Sequence, residues 1–313
     1  MRLQILVNHF NESERTVSRF LGSLARQEAV SWDDVEVLVR SDGRDNALSD
    51  EFLGSFGIPI RYEAAEHSGV CHTRNALMDM ADADYLMFCD IDDCMHSTLG
   101  LYHVMKAMDD VGTDIIAAPY LTERGGGYVT ERRDTIHVFS KAFKRSYLVE
   151  NGIRFPDEMP TSGDMFFLWL AFNLDPTVAW TEFSFYVWKD NPNSVTRARR
   201  WHMVESYDLL MRNYELLYEE LVRRGRGDLV EHMIGATFAM MYVHSHDRAH
   251  TDAPEEALSV MRKAIRRFVG RHREEYESLP NEVKRLSLEA HKRAAGTGFG
   301  DLEGMDGWVS SVS

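Results

Sequence analysis

Three aspartates follow the apolar segment "YLMFC", and their spacing suits metal binding. Asp90 and Asp92 in "DIDD" are two residues apart, so in extended backbone their side chains point the same way. Asp93 is adjacent, and carboxylates this close repel one another unless a cation neutralises them. Mn²⁺ and Mg²⁺ prefer oxygen ligands and usually bind through one or two carboxylates together with substrate phosphates. The alternative is that Asp92 or Asp93 only caps the helix that begins near Ser97.

Four other residues could bind a ligand at the ends of predicted elements. Arg74 and Asn75 enter a helix just before the "DIDD" strand, and Arg74 could hold a phosphate or carboxylate, or pair with an aspartate of "DIDD". Asp42 ends a strand, where it could accept a hydrogen bond from a base or ribose, or form a turn. Phe10 could stack on a flat base, although a lone aromatic residue is more often part of the core.

Asp164 opens the apolar helix "SGDMFFLWLAFNL". One interpretation is a general base that faces the site from the second half of the domain. The other is a first-turn carboxylate that only the helix dipole stabilises.

The elements that must position these residues form an α/β pattern. Helical spacing and capping residues predict helices over 13–27, 70–81 and 97–110. They alternate with short buried strands predicted at 3–7, 35–39, 58–62, 85–89 and 114–119. Such alternation predicts a mainly parallel sheet covered on both faces, whose ligands bind at the carboxyl ends of the strands.

The downstream pattern changes from mixed to helical. "TIHVF" and, further on, "TVAW" and "FYVW" are predicted strands, and Ser140 caps a predicted helix, "KAFKRSYLVEN", that Gly152 ends. The Gly- and Ser-rich end predicts a mobile tail. The predicted organisation is an α/β domain over 1–198, a helical region over 199–294 and a flexible tail over 295–313.

The composition of the chain limits the classes of protein to which it can belong. The 313 residues are 44% hydrophobic and carry a net charge of −15, which disfavours phosphate-mediated nucleic-acid binding and anionic membranes. Three cysteines give no disulfide framework, and we found neither a secretory signal nor an apolar run of membrane-spanning length. These features predict a soluble cytoplasmic protein that is not an integral membrane protein.

Together the motifs resemble the family 2 glycosyltransferases of the GT-A fold, from about residue 3 to about residue 197. The family's "YN", "Q", "DDGS" and "N-x-G-x-x-x-A-R-N" are matched by "HFNE", "LARQ", "RSDGRD" and "HSGVCHTRN". Its "D-x-D-D", "K-x-x-K-R-S-x-L", "E-D-x-x-F" and "Y-x-x-R … S-x-T" are matched by "CDIDD", "KAFKRSYL", "GDMFF" and "YVWKDNPNSVTR". The shared order and spacing make the resemblance specific.

The resemblance implies an inverting hexosyl- or N-acetylhexosaminyltransferase with a Rossmann-like sheet. Asp164 would be the catalytic base, and Asp92 would be the main ligand of Mn²⁺ or Mg²⁺, with Asp90 and Asp93 beside it. The donor would be a nucleoside-diphosphate sugar, by default a UDP-sugar, and the acceptor a glycan, polymer, lipid-linked sugar or protein. The residues implied to bind the nucleotide sugar are Phe10, Asn11, Asp42, Arg74, Asn75, Asp90, Lys189, Ser194 and Arg197.

Four positions depart from the family pattern. Gly163 replaces the usual glutamate before Asp164, and Ser41 replaces the first aspartate of "DDG". Asn8 replaces a common proline, and Lys189 replaces an arginine and so loses the bidentate fork. These changes affect the finer donor contacts more than the reaction type.

Two other functions fit part of this pattern. A nucleotidyl or phosphoryl transferase that uses the aspartates for two metals would need another acidic cluster near "DIDD" and no Asp164. A catalytically inactive sugar-nucleotide-binding or assembly module would need neither the aspartates nor Asp164.

The remaining polar clusters have less specific interpretations. His246 and His250 are four residues apart and should share a helix face. With His244 they suggest either a zinc site or, as we favour, a solvated helix end. The basic stretch 196–202 is either a loop that closes over the diphosphate or a helix-end charge cluster. The apolar stripes of the helical region fit a local core or a homo-oligomer interface.

Overall fold

A computed structural model describes residues 1–45, 47–160, 162–191 and 199–312. The chain divides into two compact units, residues 1–191 and 192–313.

The first unit contains two sheets. In chain order its strands are β1 (Leu3–His9), β2 (Val35–Asp42), β3 (Ile60–Ala65), β4 (Tyr85–Asp90), β5 (Cys94–Met95), β6 (Ile115–Ala117), β7 (Tyr120–Arg124), β8 (Gly127–Glu131), β9 (Lys141–Lys144), β10 (Val178–Trp180) and β11 (Tyr186–Trp188). The larger sheet has seven strands in the order β10-β6-β9-β4-β1-β2-β3, and the smaller has the order β5-β11-β7-β8.

The predicted mainly parallel sheet is confirmed. β1 pairs in parallel with both β2 and β4, and only β9 runs antiparallel within the large sheet, between β4 and β6. The register pairs Asn8 with Asp90 and His9 with Ser41. The carboxyl ends of β1, β2 and β4 therefore lie side by side at one edge of the sheet.

Helices cover the large sheet. They are α1 (Glu14–Ala25), α2 (Asp50–Gly54), α3 (Val70–Met80), α4 (Gly100–Val111), α5 (Arg145–Glu150) and α6 (Gly163–Asn173). Ser13 caps α1 as predicted, since its side chain accepts a hydrogen bond from the Thr16 N–H. The buried side chains of α1, Val17, Phe20, Leu21 and Leu24, join those of β1, β2 and β4 in one apolar core.

Two predictions for the segment before α5 are wrong. "TIHVF" is not a strand, because side chains rather than a neighbouring strand satisfy its backbone; Asp134 accepts the His137 N–H and Asp164 accepts the Val138 N–H. The predicted helix at "KAFKRSYLVEN" begins only at Arg145, because Lys141–Lys144 form β9 inside the sheet. A segment of four residues with a lysine at each end is too short for its periodicity to distinguish a strand from a helical turn.

The second unit is helical. Its helices are α7 (His202–Glu205), α8 (Tyr207–Arg223), α9 (Gly227–His244), α10 (Arg248–Thr251), α11 (Glu255–Ser278), α12 (Asn281–Ala295) and α13 (Leu302–Ser311). Where the sequence predicts a mobile tail, α13 buries Met305 and Val309. Met305 and Val309 are four residues apart, which is a helical spacing. The glycines and serines around them hid this signal when the segment was judged by its composition.

No helix in the described ranges is long and apolar enough to cross a lipid bilayer. All three cysteines, Cys71, Cys89 and Cys94, are free.

Candidate active site

Arg74 joins two of the predicted site residues. From α3, its guanidinium donates from Nη2 to Oδ1 of Asp90 at 3.0 Å and from Nη1 to Oδ1 of Asp164. The guanidinium carbon also lies 5.3 Å from the centre of the Phe155 ring. A buried arginine thus links the end of β4 to the first turn of α6. Of the two interpretations of Arg74, the pairing with an aspartate of "DIDD" is observed, and the binding of a phosphate or carboxylate ligand stays a prediction.

The charges of this network perturb one another. Burial raises the pKa of Asp90, Arg74 offsets part of that rise, and the charges of Asp92 and Asp164 add to it, so that the pKa of Asp90 is about 6. Burial alone would lower the pKa of Arg74, but Asp164 and Asp90 outweigh it and raise the pKa above its ordinary value. The site therefore holds more negative than positive charge.

Asp164 is held at both carboxylate oxygens. While Oδ1 accepts from Arg74, Oδ2 accepts the backbone N–H of Val138 at 3.2 Å. Asp164 also lies in the first turn of α6, where the helix dipole favours a carboxylate. Three independent interactions thus orient this side chain.

The other two aspartates of "DIDD" differ in exposure. Asp93 is 1% exposed and accepts from the Tyr186 hydroxyl at 2.6 Å and from the Lys189 N–H at 2.8 Å. Burial, with the charges of Asp90 and Asp92, raises its pKa well above the ordinary value. Asp92 is half-buried and accepts from Asn191 Nδ2 at 2.7 Å. Neither caps α4, whose N-cap residue is Leu99 and which has no side-chain cap; the Ser97 hydroxyl accepts the Leu99 N–H just before that helix.

The residues present fit a divalent cation bound together with a diphosphate. Arg74 engages one oxygen of Asp90, and Asn191 engages one oxygen of Asp92. Around Asp90, the carboxylates of Asp92 and Asp164 face the single guanidinium of Arg74. Within the described ranges, no group of three or more histidine, cysteine or acidic residues is arranged to hold a metal ion, so a cation here would need ligands from the diphosphate. Two carboxylates plus phosphate oxygens is the usual ligand set for Mg²⁺.

A second cluster lies at the ends of β1 and β2. The exposed ring of Phe10, 43% accessible, lies 4.9 Å from the His67 ring, centre to centre. His67 Nδ1 lies 3.0 Å from Oδ2 of Asp42, and Oδ1 of Asp42 accepts the Ser68 N–H at 2.6 Å. Phe10 is therefore not a core residue, and Asp42 fixes the loop that leads into α3.

The remaining predicted site residues are distributed more widely. Lys189 Nζ lies 2.7 Å from Oε1 of Glu123. The amide of Asn75 donates to the Phe155 carbonyl at 2.8 Å and accepts the Phe155 N–H at 2.9 Å, so Asn75 joins α3 to the segment before α6. Asn11 is exposed in the loop after β1. Ser194 and Arg197 lie outside the described residues.

Gly163 leaves no room for a side chain before Asp164. A Cβ atom built there would overlap the sulfur of Cys71 on α3 and lie 3.4 Å from Pro156. Burial raises the pKa of Cys71 to about 11, so the thiol is neutral and fills the space as a small apolar group. The absence of the glutamate usual in the resembled family thus has a direct packing reason.

Gly163→Ala is expected to destabilise the protein by about 1–3 kcal/mol, because the new methyl group overpacks against Cys71. In Cys71→Ala/Gly163→Ala the sulfur is gone and the nearest atoms of residue 71 are 3.7 Å away, so most of the loss should be recovered. Urea unfolding of both variants measures this, with Cys71→Ala as the control. A Gly163→Ala protein as stable as the wild type would contradict the packing argument.

The histidines of the second unit do not form a zinc site within the described residues. The rings of His244 and His250 stack at 4.0 Å, whereas His246 instead stacks on Phe299 at 4.8 Å. The expectation that His246 and His250 share a helix face is wrong, because α9 ends at His244 and a new helix starts at Arg248. Burial, with His250 and His291, lowers the pKa of His244 to about 3.

Several residues of the site were not predicted. His67, Tyr186 and the pair Asp134–Lys141 contact predicted site residues or their loops. "HSGVCHTRN" carried the signal for His67, since it contains both His67 and Arg74. Nothing in the sequence pattern marks Asp134 or Lys141, because their pairing depends on a loop conformation.

Comparison with known proteins gives the following matches. The family model described as "Glycosyl transferase family 2" matches residues 4–169. The chain is 28% identical over 119 residues to the teichoic acid poly(glycerol phosphate) polymerase of Staphylococcus epidermidis. That match covers 38% of this chain and 16% of the polymerase, so the chain spans only a small part of this relative.

Two solved structures share the fold. The crystal structure of S. aureus TarS 1-349 in complex with UDP-GlcNAc has a TM-score of 0.68 at 17% identity and covers 99% of this chain and 91% of that one. The mannosyltransferase PcManGT from Pyrobaculum calidifontis, in complex with GDP-Man and Mn²⁺, has a TM-score of 0.55 at 14% identity and covers 99% and 83%. The α/β architecture with a helical C-terminal region is therefore that of GT-A-like proteins, as predicted.

Proposed function

We propose, because the chain belongs to glycosyl transferase family 2, that it moves a sugar from a nucleoside-diphosphate sugar to an acceptor hydroxyl with inversion at the anomeric carbon. One observation carries this proposal. Asp164 is oriented by Arg74 and by the Val138 N–H, and Arg74 also holds Asp90 at the end of β4. Asp164 would thus be a positioned base at the sheet edge where α/β proteins bind their ligands.

In the proposed reaction Asp164 acts as the general base. It takes the proton of the acceptor hydroxyl while the hydroxyl oxygen attacks the anomeric carbon. The bond from that carbon to the diphosphate breaks, and its electron pair leaves with the nucleoside diphosphate. A single displacement of this kind needs no nucleophilic carboxylate and no covalent intermediate.

The donor would bind across the ends of β1, β2 and β4. The exposed Phe10 ring and the His67 ring beside it offer a surface for a nucleobase, and Asp42 supplies a carboxylate next to them. Lys189 would lie near the diphosphate. A UDP-sugar is the first choice, because the S. aureus TarS structure contains UDP-GlcNAc.

Asp92, with Asp90, would hold Mn²⁺ or Mg²⁺. When bound, the cation would neutralise charge on the leaving diphosphate. The excess of carboxylates over cations around Asp90 supports this proposal, as does the Mn²⁺ in the PcManGT structure. Asp93 would not contact the cation, because its side chain is buried behind the strand end and hydrogen-bonded there to Tyr186 and to the Lys189 N–H.

Nucleoside-diphosphate release from a panel of UDP-, GDP- and dTDP-sugars, with Mn²⁺ and with a chelator, tests the proposal. Asp92→Ala is expected to reduce metal-dependent release by roughly 100-fold or more, since metal stabilisation of transition-state charge is worth several kcal/mol. Asp84→Ala is the matched control, because Asp84 is an exposed aspartate just before the other end of β4.

Three outcomes separate the candidate functions. Loss of release in Asp92→Ala but not in Asp84→Ala supports the proposal and identifies the donor. Binding of a donor without any release would favour a non-catalytic binding module. Metal-dependent release of sugar phosphate or nucleoside monophosphate in place of nucleoside diphosphate, persisting in Asp164→Asn, would favour a nucleotidyl or phosphoryl transferase.

A further inference from the structure

Lys141 is a buried lysine with no part in the chemistry proposed above. Its side chain is 1% exposed, and lysine is rarely buried so fully unless its charge is paired. Nζ donates to Oδ2 of Asp134 at 2.9 Å, to the carbonyl of His137 at 2.7 Å and to the carbonyl of Phe139 at 3.4 Å. The ammonium group of Lys141 is thus hydrogen-bonded to three residues of the loop that precedes β9.

One peptide unit of that loop contacts both Lys141 and Asp164. The carbonyl of His137 accepts from Lys141, and the N–H of the same peptide, which belongs to Val138, donates to Oδ2 of Asp164. In a trans peptide the C=O and N–H groups are coplanar and point in opposite directions. Fixing the carbonyl on one side therefore aims the N–H at the carboxylate on the other side.

Asp134 keeps this arrangement in place. It accepts the His137 N–H at 3.0 Å in addition to the Lys141 ammonium. Burial would raise the pKa of Asp134, but hydrogen bonds from His137 and the charge of Lys141 outweigh it and hold the pKa below its ordinary value. The backbone of His137 is therefore hydrogen-bonded on both sides. Its N–H donates to the Asp134 carboxylate, and its carbonyl accepts from the Lys141 ammonium.

We infer that Lys141 is a positioning residue, which orients the base Asp164 through the His137–Val138 peptide unit. The inference rests on the proposed function, in which Asp164 removes the acceptor proton. Lys141 need not touch the donor, because its bonds are to Asp134 and to backbone carbonyls. Its loss should affect turnover and leave donor binding unchanged.

The test compares a variant that removes one charge of the buried pair with a variant that removes both charges. Lys141→Met leaves Asp134 buried without its cation, so part of any effect would come from instability. In Asp134→Asn/Lys141→Met no charge remains, and replacing a buried ion pair by neutral groups is often harmless to stability. The double variant should therefore have a thermal midpoint closer to the wild-type value than that of Lys141→Met, although the carbonyls of His137 and Phe139 lose their Lys141 donor.

We expect the double variant to show a kcat lowered by roughly 10–100-fold, since a misplacement of about 1 Å at a catalytic group can cost that much. The donor KM should stay within about twofold, because uniform binding is untouched. Lys144→Met, at the other end of β9, is the control and should retain the wild-type kcat. A stable double variant with wild-type kcat would overturn the inference and leave the pair a purely structural one.

Two further results keep the test decisive. If the double variant does not fold, hydrogen exchange is measured in the wild-type protein instead. The Val138 amide proton should then exchange slowly. Rapid exchange of that proton would contradict the inference. If Asp164→Asn leaves kcat unchanged, the proposed function itself fails. If Asp164→Asn abolishes turnover while the double variant does not, only the positioning role of Lys141 fails.

Discussion

Asp164→Asn is expected to slow nucleoside-diphosphate release by about 10²–10⁴-fold, the usual contribution of a general base. The amide has the shape of the carboxylate and its oxygen can still accept the Val138 N–H, but it cannot take up a proton. The effect should therefore fall on kcat, and calorimetry should find the donor affinity little changed.

Asp175→Asn provides the matched control for this substitution. Asp175 lies just past α6, is exposed, and has a φ of 55°, which asparagine tolerates well. The control variant loses the same charge near the other end of the same helix and should keep full activity. An Asp164→Asn protein with wild-type turnover would remove the basis for assigning the base.

Arg74→Met is expected to lower the free energy of unfolding by about 3–5 kcal/mol, the usual cost of removing one partner from a buried ionic network. Without the guanidinium, Asp90 and Asp164 face each other uncompensated, in a site where burial already raises the pKa of Asp90 to about 6. Urea unfolding measures the loss, and donor turnover should disappear with it.

The comparison variant for this experiment is Arg154→Met. Arg154 donates to both oxygens of Asp79, also on α3, but its side chain is 44% exposed. Exposed pairs contribute only about 0–1 kcal/mol, so this variant should be nearly as stable as the wild type. Equal losses in Arg74→Met and Arg154→Met would mean that burial does not decide the cost.

Adding Asp164→Asn to Arg74→Met should recover part of the lost free energy of unfolding, since one uncompensated charge is removed.

Patterns local in sequence predicted the sheet and the strand ends well. The apolar runs at β1, β2 and β4 are typical of buried parallel strands, and their parallel pairing put the polar residues after them at one edge. Helical periodicity likewise predicted α1, α3 and α6. For Arg74 the sequence left two partners open, a ligand or an aspartate of "DIDD", and the structure provides the aspartate.

Interactions between distant segments could not be predicted in this way. Lys141 occupies a short central strand whose four residues carry no distinctive period, and Asp134 lies in a loop without regular structure. Asp93 and Tyr186 are separated by 93 residues and meet only because β11 lies beside β5 in the small sheet. Periodicity reports the face on which a residue lies, and it does not report the partner it meets there.

The contact between Gly163 and Cys71 also constrains the order in which mutations could accumulate. A larger residue at position 163 meets the sulfur of Cys71, whereas a smaller residue at position 71 opens the space first. The two sites are thus epistatic, and only the path that changes position 71 first avoids the overpacked intermediate. Directed evolution that aims to install glutamate beside the base should begin from a library fixed at Cys71→Gly or Cys71→Ala.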